Sequence, residues 1–102
     1  MIHVVVTFTI KDGMMDKYLE GIKKLRPLVL AEKGCVEYTY IRETKSPLSI
    51  QEPVQDNRLT LVEKWESPEA LETHLKSPHM AEYTKLLGPM RSGSSARVGE
   101  AV

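Results

Sequence analysis

Between residues 59 and 79 the chain places Glu63, Trp65, His74 and His79, the side chains best suited to chemistry. A histidine titrates near neutral pH, so His74 can take or give a proton in the cytoplasmic range. It shares a helical face with Leu71 and Leu75 at i, i+3, i+4 spacing, so it is either a base at a pocket or a capping histidine bonded to backbone. Glu63 sits beside Trp65 on a mainly apolar strand face, a local inconsistency of the kind that marks functional positions. It either orients a histidine or takes a proton, or else pairs as an ordinary strand carboxylate. Trp65, the only tryptophan, is an aromatic wall for a flat ligand or simply core. His79 falls in the first turn of a helix, where the helix dipole disfavours its cation. There it is either a neutral donor to an oxyanion or part of a cap. Tyr38 and Tyr83 either line the same pocket or fill the core with their hydroxyls satisfied.

A metal site built on His74 and His79 is not expected. A proline-started helix separates them, no third ligand is evident, and the spacing is not the i, i+4 of a zinc helix. The single cysteine, Cys35, excludes an internal disulfide and a cysteine-rich metal site, and reads as a small buried residue after Gly34.

These groups need elements to hold them. Residues 2–10 alternate, with Val4, Val6, Phe8 and Ile10 on one face and His3, Val5, Thr7 and Thr9 on the other, as in a strand. After the turn Lys11-Asp12-Gly13 the period becomes helical, with a stripe of Met15, Tyr18, Leu19, Ile22, Leu25 and Val29. Pro27 lacks the N–H that would bond Lys23, so a kink or break is expected near Arg26. Gly34 suits a left-handed C′ position. Cys35–Arg42 forms a second strand, with Val36, Tyr38 and Tyr40 on one face. The segment 43–58 is polar and contains Pro47 and Pro53. Ser49–Gln51 extends a strand there at most briefly, and the segment either covers a pocket or reaches a neighbouring subunit. Leu59–Trp65 is a third strand, with Leu59, Leu61, Glu63 and Trp65 on one face. Ser67-Pro68 and Ser77-Pro78 each read as an N-cap followed by proline at the first helical position. They predict helices over 68–76 and 78–87, the second ended by Gly88-Pro89. From Ser92 the tail reads as a Ser/Gly linker leading to a fourth strand over 96–102.

The order strand, helix, strand, strand, helices, strand predicts an α+β, ferredoxin-like split βαβ domain: an antiparallel sheet with helices on one face, spanning residues 1–102 as one domain. Both faces of the first strand are rich in Val and Thr, and the small core benefits from further burial, so a homodimer is expected. Lys plus Arg and Asp plus Glu are 14 each, so nothing draws the chain to nucleic acid or an anionic membrane. No apolar run approaches the roughly 18 residues of a spanning helix. The alternating N-terminus lacks the basic flank and cleavage site of a signal peptide, so a cytoplasmic location is expected.

The run Val62-Glu63-Lys64-Trp65-Glu66-Ser67, followed by Leu71, His74-Leu75, Ser77-Pro78-His79-Met80 and Tyr83, resembles the pattern E-x-W-x-S, leucine, H-L, small-P-H and aromatic of the antibiotic biosynthesis monooxygenase family. Glu32-Lys33-Gly34-Cys35 resembles that family's E-x-G-C before the second strand. Within the family the chain is most similar to the small bacterial quinol monooxygenases. The resemblance implies a dimeric α/β barrel that oxidises a quinol or polyhydroxylated aromatic with O₂ and uses neither metal nor flavin. The site residues it implies are His74 and Glu63 for proton transfer, with Trp65, His79, Tyr83 and Tyr38 around the substrate. Leu61 and Leu71 replace an asparagine and a tyrosine found in polyketide-quinone members. Thr7, His74 and Thr84 replace the asparagine, tryptophan and histidine of haem-degrading members, which removes that chemistry. Two other functions fit the same histidines: acid/base isomerisation of a small hydroxycarbonyl, and non-catalytic binding of a small ligand.

Overall fold

The computed structural model describes residues 1–102. Strand β1, Ile2–Ile10, leads through a turn at Gly13 into helix α1, Met15–Leu30. Strands β2, Cys35–Arg42, and β3, Arg58–Trp65, follow. Helices α2, Pro68–Leu75, and α3, Pro78–Leu87, come next, then a 3₁₀ turn over Gly88–Met90 and strand β4, Arg91–Glu100. The sheet order is β2-β3-β1-β4, with every neighbouring pair antiparallel. This is the ferredoxin-like α+β arrangement expected from the order of elements.

The alternation in β3 becomes burial directly: Leu59, Leu61, Glu63 and Trp65 are buried, and the residues between them are partly exposed. Leu59, Leu61 and Trp65 pack with Val4, Phe8 and Ile10 of β1 and with Tyr18, Ile22, Leu25 and Val29 of α1. At Gly21, a Cβ would fall 2.6 Å from Leu87 Cδ2, so the missing side chain lets α1 and α3 approach closely. The two Ser-Pro caps form as read. Ser67 Oγ accepts from the Ala70 N–H at 3.1 Å, and Ser77 Oγ accepts from the Met80 N–H at 3.4 Å.

Five local expectations are corrected. Helix α1 is not broken at Arg26: it runs on to Leu30, and the Pro27 carbonyl accepts from Ala31 N–H at 3.2 Å. Lys23 and Pro27 are both exposed, so water can serve the carbonyl that Pro27 leaves without a donor. Gly34 does take positive φ, at +86°, but in the turn before β2, since the helix cap is Ala31. Val36 leaves the core face because the register slips between Cys35 and Glu37, a bulge that leaves Val36 exposed. Ser49–Gln51 is part of a turn, not a strand. Finally, the Ser/Gly tail is strand from Arg91, pairing with β1 along its length as a sheet edge, where small polar residues need bury nothing.

One face of the sheet carries the helices. On the other, Val5, Val36 and Ile41 remain exposed at 38%, 48% and 45%. No helix is long and apolar enough to cross a membrane.

Candidate active site

A cavity of about 170 Å³ lies between the sheet and α3. Phe8 of β1, Tyr38 and Tyr40 of β2, and Leu61 and Glu63 of β3 line its sheet side. Met80, Tyr83 and Leu87 line the α3 side, with His74 of α2 at one end and Arg91 of β4 also on the wall. The period of two in β3 puts Glu63 here, and the helical turn from the Ser67 cap turns His74 inward. Leu75, grouped with His74 by spacing, is instead 64% exposed at the rim, because α2 buries a narrower face than its apolar residues suggested.

His74 is 1% exposed and sits between two aromatic rings, with centroids 4.5 Å from Trp65 and 5.6 Å from Tyr38. Its Nδ1 is 2.8 Å from Glu32 Oε2. A carboxylate accepts, so Nδ1 carries the hydrogen, and in the neutral form of the ring Nε2 keeps the lone pair. That Nε2 lies 4.0 Å from Glu63 Oε1. The imidazole is thus oriented by one carboxylate and offers its basic nitrogen on the side of the other, the arrangement of a positioned general base.

Glu63 is held in place by the Trp65 indole, whose Nε1–H donates to Oε1 at 2.9 Å. Burial pushes the Glu63 carboxyl above the ordinary carboxylate range. The Trp65 hydrogen bond and His74 pull against this, and Glu32 adds to it. A raised native pKa means that folding favours the protonated form. That contribution to stability is complete below the unfolded carboxylate pKa and is lost as pH rises through the native value. Glu63→Gln keeps an acceptor for Trp65 and removes the charge. It is therefore expected to exceed the wild type in stability at neutral pH, with the gap closing towards about pH 4. Urea unfolding of both proteins from pH 4 to 8 measures this, and a pH-independent gap would show that Glu63 does not titrate with folding.

The Tyr38 and Tyr40 hydroxyls are 3.5 Å apart. Burial pushes Tyr40 up to about 12 and Tyr38 higher still, so both stay neutral and can donate to a developing oxyanion. The Arg91 guanidinium lies 4.4 Å above the Phe8 ring, and its Nε–H donates to the Tyr18 hydroxyl at 2.9 Å, which fixes a positive charge at the cavity wall.

The structure brings Glu63, His74, Tyr38 and Tyr83 to one cavity. Trp65 is fully buried behind His74 and does not line it, and neither does His79. His79 Nε2 instead meets Glu32 Oε2 at 2.8 Å, the same oxygen that His74 contacts. Glu32, His74 and His79 thereby bring three donor atoms within 4.8 Å of one another, supplying the third potential ligand that sequence spacing did not reveal. Residues 43–58 add nothing to the cavity wall; Glu43 pairs with Arg58 at the base of this segment. Sequence reasoning missed Glu32, Tyr40 and Arg91 as site residues. Glu32 had a signal in the Glu32-Lys33-Gly34-Cys35 run: Gly34 packs so closely on α2 that a Cβ would lie 2.7 Å from Ala70 Cβ, which carries the preceding turn up to His74.

Fold and site together are those of a small α+β protein whose sheet and helices enclose a cavity lined by a histidine, a carboxyl and tyrosines. The family model of antibiotic biosynthesis monooxygenase matches residues 1–86, and the chain belongs to that family. It is 31% identical over 87 residues, 83% of each chain, to YgiN of Escherichia coli K12, named a probable quinol monooxygenase. Its structure resembles a crystal structure of an antibiotic biosynthesis monooxygenase, with a TM-score of 0.83 and 20% identity over 100% of this chain and 99% of the other. A conserved protein of Methanosarcina mazei Go1 gives a TM-score of 0.85 and 22% identity over 99% and 92%. At those identities the structural likeness is one of fold.

Proposed function

We propose that this protein is a monooxygenase that inserts one oxygen atom of O₂ into a small quinol, without flavin or metal. The observation that carries this reading is the His74 imidazole on the cavity wall, fixed by Glu32 through Nδ1, with Nε2 on the side of Glu63 and the neutral Tyr38 and Tyr40 hydroxyls and Arg91 on the same wall. His74 takes the phenolic proton, and the quinolate that results is electron-rich enough to reduce O₂. Tyr38, Tyr40 and Arg91 stabilise the negative charge as it moves onto the oxygen. The balance closes without another reductant: quinol plus O₂ gives hydroxyquinone plus water. The quinol supplies all four electrons, and water carries away the second oxygen atom.

Cavity size favours one ring over many. A cavity of about 150 Å³ holds a benzene molecule, while drug-sized ligands occupy roughly 300–1,000 Å³. The exposed Val5, Val36 and Ile41 on the open sheet face support pairing of two copies there into a barrel.

Oxygen uptake by metal-free protein against a panel of one- and two-ring quinols tests the proposal. Uptake with stoichiometric hydroxyquinone is expected. Absence of uptake with every quinol, together with isomerisation of small hydroxycarbonyls, would move the same base to a different reaction class.

A further inference from the structure

We propose that Glu32, His74 and His79 form a site for a divalent transition-metal ion such as Zn²⁺, and that loading it switches off the base in the cavity. Glu32 Oε2 already lies 2.8 Å from His74 Nδ1 and 2.8 Å from His79 Nε2, and all three donor atoms fall within 4.8 Å. Metal–ligand bonds of about 2.0–2.2 Å at the tetrahedral angle place donor atoms about 3.3–3.6 Å apart, so Glu32 Oε2 draws back from each imidazole by roughly 0.5–0.8 Å. The two imidazole nitrogens, no more than 4.8 Å apart, settle to the same spacing. Two imidazoles and a carboxylate suit first-row divalent ions, and open positions remain for water. The site has a route to solvent: His79 is 21% exposed and Glu32 13%, and Glu32 also lines a surface cleft with Thr73 and Ser77. The donors come from three separate elements, the α1–β2 turn, α2 and the first turn of α3.

The consequence follows from imidazole chemistry. A metal on Nδ1 displaces the hydrogen now shared with Glu32. A neutral imidazole bound through one nitrogen carries its proton on the other. Nε2 of His74 then becomes a donor and loses its lone pair on the side of Glu63. The switch-off rests on the quinol reading; the binding site and the change of tautomer do not.

The test titrates ZnCl₂ into metal-free wild-type protein against a chromogenic chelator. One ion per chain is expected. Glu32→Gln and His79→Gln should each weaken binding by at least about 10-fold, with thermal melts confirming that both variants fold. His3→Gln and Cys35→Ser, which remove the remaining imidazole and the only thiol, should leave the affinity unchanged. Long-range ¹H–¹⁵N spectra of the histidine rings should show the His74 proton moving from Nδ1 to Nε2 as zinc is added. In an active wild-type protein, O₂ uptake should fall in step with zinc occupancy. No binding, binding that survives Glu32→Gln and His79→Gln, or an unmoved His74 proton would overturn the site. Full turnover at full occupancy would overturn the switch. If no quinol is turned over, the titration and the ring spectra still decide the site.

Discussion

His74→Ala is expected to lose about 10²–10⁴ in quinol turnover, the usual cost of removing a positioned general base. The Tyr38 and Tyr40 hydroxyls stay neutral and cannot take the proton, which leaves Glu63, whose pKa burial raises, as the other titratable acceptor on the wall. The same substitution leaves the Glu32 carboxylate bonded to His79 alone and opens a void against Trp65, so a stability loss of about 1–3 kcal/mol accompanies it. His74→Gln separates the two effects, since its amide can still bond Glu32 but cannot act as a base. Oxygen-uptake rates and thermal melts on both variants make the check. Wild-type turnover in either would end the assignment of His74 as base.

Trp65→Ala is expected to cost about 3–5 kcal/mol. A chain of this length has roughly 5–15 kcal/mol in total, so the variant is left marginal or unfolded. Trp65 is fully buried, it stacks on His74, and its N–H is the hydrogen-bond partner of Glu63. The sequence pattern allowed Trp65 to be a wall for substrate, which would make its loss mainly one of binding. Its position behind His74 makes the loss mainly one of folding. Trp65→Phe retains most of the packing and should fold, with quinol affinity close to that of the wild type. Urea unfolding followed by circular dichroism suits both variants, because the only tryptophan is the residue removed. A loss below 1 kcal/mol in Trp65→Ala would contradict the core placement.

What could be read in advance followed the range of the interaction. The alternation in β1 and β3 and the two Ser-Pro caps are local, and they located those strands and α2 and α3 to within a residue or so. Pro27 misled because a helix tolerates proline where the orphaned carbonyl faces water, and one-dimensional periodicity does not show exposure. The Ser/Gly tail misled because an edge strand needs backbone pairing more than side-chain burial. Of the residues on the cavity wall, Glu63, His74 and Tyr38 were legible from strand and helix periods, and Tyr83 from the family pattern. Glu32 meets His74 across 42 positions of sequence, and Arg91 meets Tyr18 across 73, and no spacing rule spans such distances. The bulge at Val36 was hidden for a related reason: it depends on the register against β3, not on β2 itself.

The hydroxyl of Ser77 does two things at once. It accepts from the Met80 N–H at the start of α3 and donates to the His74 carbonyl at the end of α2, at 2.8 Å. The two helices therefore meet as one stiff elbow. Its near arm carries His74, the proposed proton acceptor, and its far arm carries Met80 and Tyr83 on the wall of the same cavity. Bending the elbow displaces His74 and the α3 wall of the cavity together. Remodelling the far arm for a larger substrate cannot leave the aim of the near arm untouched, so in this scaffold a change of specificity and a change of rate are mechanically linked.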